Sequence, residues 1–228
     1  MTRRSNARAA GFAFLIYIAA AFSGMILEGK ASAGEGPAAR LASIAHHAGT
    51  ARAAILLQLV GCFCALVLAV TLYAITRDRD PDLALLAMAC RVAEGVIGAV
   101  SLPRMAGRLW LATAGGAEAP DPAAASALGA SLFGLPSWGA NLGATFFAVG
   151  STLFAWLMLR GRIVPAALAW LGVVASLIVL AILPLELVGL AGSPVTDFMW
   201  LPMLAFEVSL ALWLIVKGAA LPRREEIS

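Results

Sequence analysis

Residues 53–75, AAILLQLVGCFCALVLAVTLYAI, run for 23 positions between Arg52 and Arg77 without one charged side chain. At about 1.5 Å per residue a helix of that length reaches roughly 34 Å, slightly more than the ~30 Å hydrocarbon core of a bilayer. In lipid such a segment satisfies its backbone N–H and C=O groups only by coiling into a helix, because the surroundings offer them no partner. Five further stretches read the same way: 9–27, 83–102, 142–159, 163–190 and 198–216. The sequence therefore predicts an all-α fold, a polytopic transmembrane bundle of six helices. The whole chain, 1–228, reads as a single integral membrane domain with no internal repeat.

Composition points the same way. Of 228 residues, 61% are hydrophobic and 13% charged, and the mean hydropathy is +0.91, against about 45–50% and about 25% in soluble domains. A soluble enzyme, a disordered chain and a secreted disulfide scaffold are thereby excluded. The net charge of +3 does not indicate a nucleic-acid partner, because the basic residues stand at the ends of apolar blocks rather than in one patch. Cys62, Cys64 and Cys90 lie inside apolar blocks without a CxxC spacing, and read as buried structural thiols.

The connections set the expected topology. Arg3, Arg4 and Arg8 before the first block, and Ala31, Ser32 and Ala33 after it, imitate a signal peptide. The apolar run exceeds the usual length of about 7–15 residues, and Glu28 and Lys30 interrupt the approach to the small residues, so the segment reads as a retained span. With the N-terminus inside, the inner segments carry ten Lys and Arg: Arg3, Arg4, Arg8, Arg77, Arg79, Arg160, Arg162, Lys217, Arg223 and Arg224. The outer segments carry five, Lys30, Arg40, Arg52, Arg104 and Arg108. This asymmetry predicts a multi-pass protein of the cytoplasmic (inner) membrane with both termini cytoplasmic. One or two short amphipathic helices are expected on the outer face, one over 38–48 and one from Pro122, where Asp121 supplies an N-cap. The rest of 103–138 reads as loop, and the regular part of the fifth span is expected between Pro165 and Pro184. Trp110, Trp138 and Trp200 are expected near the outer interface and Trp156 near the inner one.

Ionisable groups inside apolar blocks are costly and so informative. Arg91 and Glu94 stand three residues apart in the third block, on one helix face. Counted from Leu83 at 1.5 Å per residue, they lie about 12 and about 17 Å deep, and Glu207 lies about 14 Å below the opposite surface, at nearly the same level. Arg91, Glu94 and Glu207 therefore form a candidate buried polar site. A structural reading stands beside it, in which the three charges only fix the third span against the sixth. Glu28 and Glu186 fall at hydrated span ends. His46 and His47 lack a third ligand at suitable spacing, so no metal is expected. No motif for a cofactor, a phosphate loop or a catalytic nucleophile occurs. Gly95 and Gly98 with Ala84 and Ala87, and Gly139, Gly143 and Gly150, give the third and fourth spans small-residue faces suited to close packing.

Three stretches also carry a likeness: Arg91 to Glu94; Phe146 to Gly150 continuing through Leu159, Arg160, Gly161, Arg162, Ile163, Val164 and Pro165; and Phe206, Glu207, Val208 through Trp213, Leu214, Ile215, Val216, Lys217 and Gly218. In these the chain resembles the DUF4386 family of bacterial integral membrane proteins over nearly its whole length, from Arg8 to Gly218. The Arg-Gly-Arg-Ile-Val-Pro turn departs from the family's pattern, where a serine and a Pro-Arg pair are usual. The resemblance implies a multi-span fold and carries no activity with it.

The leading functional expectation is a small-molecule, lipid or proton-linked binding or transport protein that uses Arg91, Glu94 and Glu207, with the lipid bilayer as partner and a small molecule or lipid as ligand. Two others stand beside it: an intramembrane enzyme acting on a lipid or quinone-like substrate, and a structural partner subunit of a membrane complex. The topology is directly testable. Ser5→Cys in intact cells should resist a membrane-impermeant thiol reagent and react only after permeabilisation; labelling from outside would reverse the orientation.

Overall fold

The computed structural model describes residues 2–115, 120–134, 138–190 and 195–219, without the side chains of Pro122, Trp138, Val195 and Asp197. The expectations for the ring of Trp138 and for Arg223 and Arg224 lie outside the described residues. Within them the chain forms helices and turns only: α1 (Arg3–Ala31), α2 (Gly36–His46), α3 (Ala48–Thr76), α4 (Pro81–Ala99), α5 (Ser101–Thr113), α6 (Pro122–Gly134), α7 (Trp138–Arg160), α8 (Ala166–Leu187), α9 (Val195–Phe198) and α10 (Trp200–Val216). Five helical stretches are long and apolar enough to cross a membrane: α1, α3, Pro81–Thr113 containing α4 and α5, Ala123–Arg160 ending in α7, and α8. The sixth apolar helix, α10, has 17 residues and is shorter than these.

Local chemistry explains most of the boundaries. Thr2 accepts a hydrogen bond from the N–H of Ser5 at the start of α1. Asp80 does the same for Leu83 at 3.1 Å ahead of α4, with Pro81 in the first turn. Asp121 accepts from the N–H groups of both Ala123 and Ala124 at 2.9 Å, the N-cap expected for α6.

Two boundaries correct the sequence reading. α8 does not stop at Pro184 but continues to Leu187, because a proline in the last turn forfeits only one backbone bond. The helix then closes on Gly189 at φ +75°, with the Gly189 N–H on Glu186 O and the Leu190 N–H on Leu185 O at 2.7 Å, a paired closure that requires a left-handed residue. Residues 101–113, read as span end and loop, form α5. Pro103 had marked a helix end, but in the first turn of a new helix its missing N–H costs nothing. Three short helices, α2, α5 and α6, thus gather at one pole where one or two were expected.

The six long or apolar helices close into a ring. α1 packs on α3, α3 on α4, α4 on α7, α7 on α8, α8 on α10, and α10 back on α1. The last seam is antiparallel: Gly11 faces Ala211 and Ile215, while Gly218 faces Arg4, so both ends of the described chain lie at one pole. Alanines and glycines let these seams approach, as expected where packing rather than water drives association. Gly172 sits beneath the ring of Phe206, Gly150 against Ala87 and Arg91, and Gly95 against the Cys62 carbonyl. Across the α7–α8 seam Thr152 donates to Ser176 at 2.9 Å. Large apolar side chains such as Phe12, Ile16, Phe63, Val70, Leu85 and Leu212 point outward. Trp110, Trp156 and Trp200 are exposed as well.

The pole with the short helices is held by Arg108, whose Nη1 lies 3.0 Å from Glu28 Oε1 and whose Nη2 donates to Leu132 O at 3.0 Å. Its guanidinium also stands 4.6 Å from the centroid of Phe133, which Arg40 approaches at 5.5 Å. Glu28, expected at a hydrated end, is therefore an anchoring partner for α5.

A β-carbon at Gly11 would fall 2.7 Å from the Ala211 carbonyl oxygen, so α1 and α10 would have to separate. Gly11→Val should lower the stability of the purified protein by about 1–3 kcal/mol, read as a fall in Tm in detergent. Gly29→Ala, with nothing within 4 Å, should leave Tm unchanged or slightly raised.

Candidate functional site

Inside the ring the usual order of a water-soluble helix is inverted, with polar groups on the buried faces. On α4 the buried positions are Ala84, Ala87, Cys90, Arg91, Glu94 and Gly95, one stripe at three- and four-residue spacing, while Leu85, Leu86 and Val96 face out. On α10 the buried stripe is Met203, Phe206, Glu207, Leu210, Ala211 and Leu214. Tyr17 continues the inner stripe of α1 that begins at Ala10, Ala13 and Phe14.

Arg91 is the focus of the interior and is only 1% exposed. Its Nη1 lies 3.0 Å from Glu94 Oε2, an ion pair along one helix turn. That N–H is not aimed at the oxygen as a hydrogen bond requires, and all three guanidinium nitrogens lack a hydrogen-bond partner among the described residues. Two aromatic faces hold the cation instead, Phe147 of α7 at 4.8 Å and Tyr17 of α1 at 5.6 Å from centroid to Cζ. The Tyr17 hydroxyl also donates to Glu94 Oε1 at 2.7 Å. Each oxygen of Glu94 thus faces a different helix contribution, α1 on one side and its own α4 on the other.

Glu207 is buried in the same interior, close enough for the charges of Arg91 and Glu94 to act on its carboxylate. No hydrogen bond joins it to either, and its Oε1 is buried without a partner among the described residues. Of the three residues singled out from sequence, Arg91 and Glu94 are joined directly, and Glu207 lies on the buried face of α10 without an ion pair or hydrogen bond to either. α4 packs on α3 and α7 whereas α10 packs on α1 and α8, so Glu94 and Glu207 enter the interior from helices on different seams.

Sequence reasoning missed Tyr17 and Phe147. Tyr17 did carry a signal, since it stands mid-block in 9–27, far from the interfaces where tyrosine is favoured. Phe147 carried none, because a phenylalanine in an apolar helix is the default. Elsewhere, His46 and His47 are exposed on the short-helix pole, with His47 Nδ1 3.0 Å from Ser43 O. Among the described residues no group of three or more His, Cys, Asp and Glu is arranged to hold a metal ion. Cys64 and Cys90 are buried free thiols, and Cys62 is half-buried.

The model of DUF4386, a domain of unknown function, matches residues 9–218. No curated protein and no solved structure matches the chain.

Removing the Tyr17 hydroxyl would leave Glu94 Oε1 without its donor. Tyr17→Phe should cost about 1–3 kcal/mol, the desolvation penalty of an unsatisfied buried acceptor, seen as a lower Tm in detergent. Tyr73→Phe, at a tyrosine outside the cluster, should be close to neutral.

Proposed function

The chain belongs to the DUF4386 family, and from that premise we propose that it is a polytopic membrane protein that binds or transports a small molecule or lipid, coupled to protons, at an internal site built from Arg91, Glu94 and Glu207. In this reading it crosses the bilayer six times with both termini cytoplasmic. α10 serves as the sixth span, since 17 residues reach about 26 Å and Phe198 and Met199 extend the apolar stretch just before it. The apolar side chains that point outward meet lipid.

The observation that carries the reading is the burial of one guanidinium and two carboxylates inside the ring, with Arg91, Glu94 Oε2 and Glu207 Oε1 lacking hydrogen-bond partners among the described residues. A purely structural ion pair is favourable only when its remaining donors and acceptors are satisfied. Here Glu94 accepts a hydrogen bond from Tyr17 on Oε1 and pairs with Arg91 through Oε2, whereas Glu207 Oε1 has neither kind of partner among the described residues, so the two carboxylates differ in how they are held. Glu94 and Tyr17 position the cation. Glu207 is the group left to exchange a proton or meet a polar ligand, and two carboxylates around one cation titrate as a coupled set. Phe147 and Tyr17 offer apolar faces beside that charge, which suits an amphiphilic ligand.

The first test is energetic. Arg91→Leu leaves two buried carboxylates without a cation and should cost about 3–5 kcal/mol at neutral pH. Glu94→Gln or Glu207→Gln leaves one carboxylate with the arginine and should cost less. Mild acid should partly restore Arg91→Leu, because protonation removes the uncompensated charge. Equal Tm for all three variants at both pH values would show that the charges do not interact. The second test is functional: lipids and small molecules that raise the Tm of the native protein should lose that effect in Glu207→Gln. Stabilisation of native protein and variant alike by every active compound would overturn the internal site.

A further inference from the structure

At the pole where the chain ends meet, the turn from α7 into α8 and the end of α10 enclose an open cleft of about 340 Å³. Arg162, Ile163, Val164 and Pro165 form one wall, and Trp213 and Lys217 the other. Gly218 completes the lining, and a β-carbon placed there would stand 3.8 Å from Cγ of Arg4, which brings the start of α1 to the same place. Three cations from three parts of the chain, Arg4, Arg162 and Lys217, are therefore gathered around one concavity, all of them exposed. Between the cations the lining is apolar, with Pro165 exposed, Trp213 partly exposed, and Ile163 and Val164 buried beneath. Arg162 has a left-handed backbone, φ 48°, in the closure of α7, where the Arg162 N–H bonds Leu159 O and the Ile163 N–H bonds Met158 O. That position ordinarily takes glycine, and an arginine there carries a backbone cost that its side chain must offset.

We propose that this cleft binds the phosphate headgroup of an anionic phospholipid, with Arg162 and Lys217 on the phosphate and the acyl chains leaving along Trp213 and Pro165. Clustered cations select an anionic over a zwitterionic headgroup, and basic pockets between spans at the cytoplasmic side suit this class of lipid. An indole ring fits the interface level at which such a headgroup lies. The inference requires that the chain sit in a bilayer but is independent of the internal Arg91 cluster.

Native mass spectrometry of the full-length protein, released from detergent with phosphatidylglycerol or phosphatidylcholine added, tests the proposal. The native protein should retain phosphatidylglycerol several-fold more than phosphatidylcholine. Arg162→Gly and Lys217→Gln should each reduce that retention several-fold, whereas Arg77→Gln, which removes a charge at the same pole outside the cleft, should retain it. Arg162→Gly relieves the left-handed arginine, so its Tm without lipid should be unchanged or higher, which separates lost binding from lost folding. Equal retention of the two lipids, or an equal loss in Arg77→Gln, would overturn the site. Displacement of the lipid by millimolar inorganic phosphate would also overturn it, because a free anion would then be the occupant.

Discussion

A guanidinium that is 1% exposed inside an apolar ring is the constraint on which the rest of this structure depends. An isolated charge in such surroundings is unfavourable by several kcal/mol, so the fold must bring partners to it. One helix cannot supply enough of them: α4 contributes only Glu94. The other partners come from α1, which brings Tyr17, from α7, which brings Phe147, and from α10, which brings Glu207 within range. A ring of six helices is what allows groups from both ends of the sequence to face the same point.

Close seams make that ring small enough. Gly150 lets α7 lie directly against the stem of Arg91, and Gly11 lets α1 approach the Ala211 backbone of α10. These glycines are the geometric condition for Phe147 and Tyr17 to reach the cation. Such close contacts and a few hydrogen bonds like Thr152 to Ser176 contribute to the cohesion of the ring. Packing and the polar centre are thus coupled, because the small residues that bring the helices together also set the distances at which the charges meet.

The two poles are built differently. At one, α2, α5 and α6 are drawn together by Arg108, which ties Glu28 of α1 to the end of α6. At the other, connections are short, Arg3 pairs with Asp78 at 2.9 Å, and cations without an ion pair among the described residues collect around the cleft beside Trp213. This contrast leaves the polar interior between one pole covered by short helices and one pole of short, basic connections.

The sequence by itself determined most of the long helices, because their apolar runs have the length and composition of membrane-crossing helices, and capping residues such as Asp80 and Asp121 act within three residues of themselves. It also marked Arg91, Glu94 and Glu207 as costly, since charge inside an apolar block is visible without any coordinates. The continuation of α8 past Pro184 and the helix over 101–113 escaped it. Proline signals a break only by position within the turn, and that position depends on where the neighbouring helix begins. Tertiary structure alone decided the order of helices in the ring, the role of Tyr17 and Phe147, and the different standing of the two glutamates. Which helix is a neighbour follows from the packing of whole faces against one another, and whether a buried oxygen finds a donor depends on a helix more than seventy residues away in the chain.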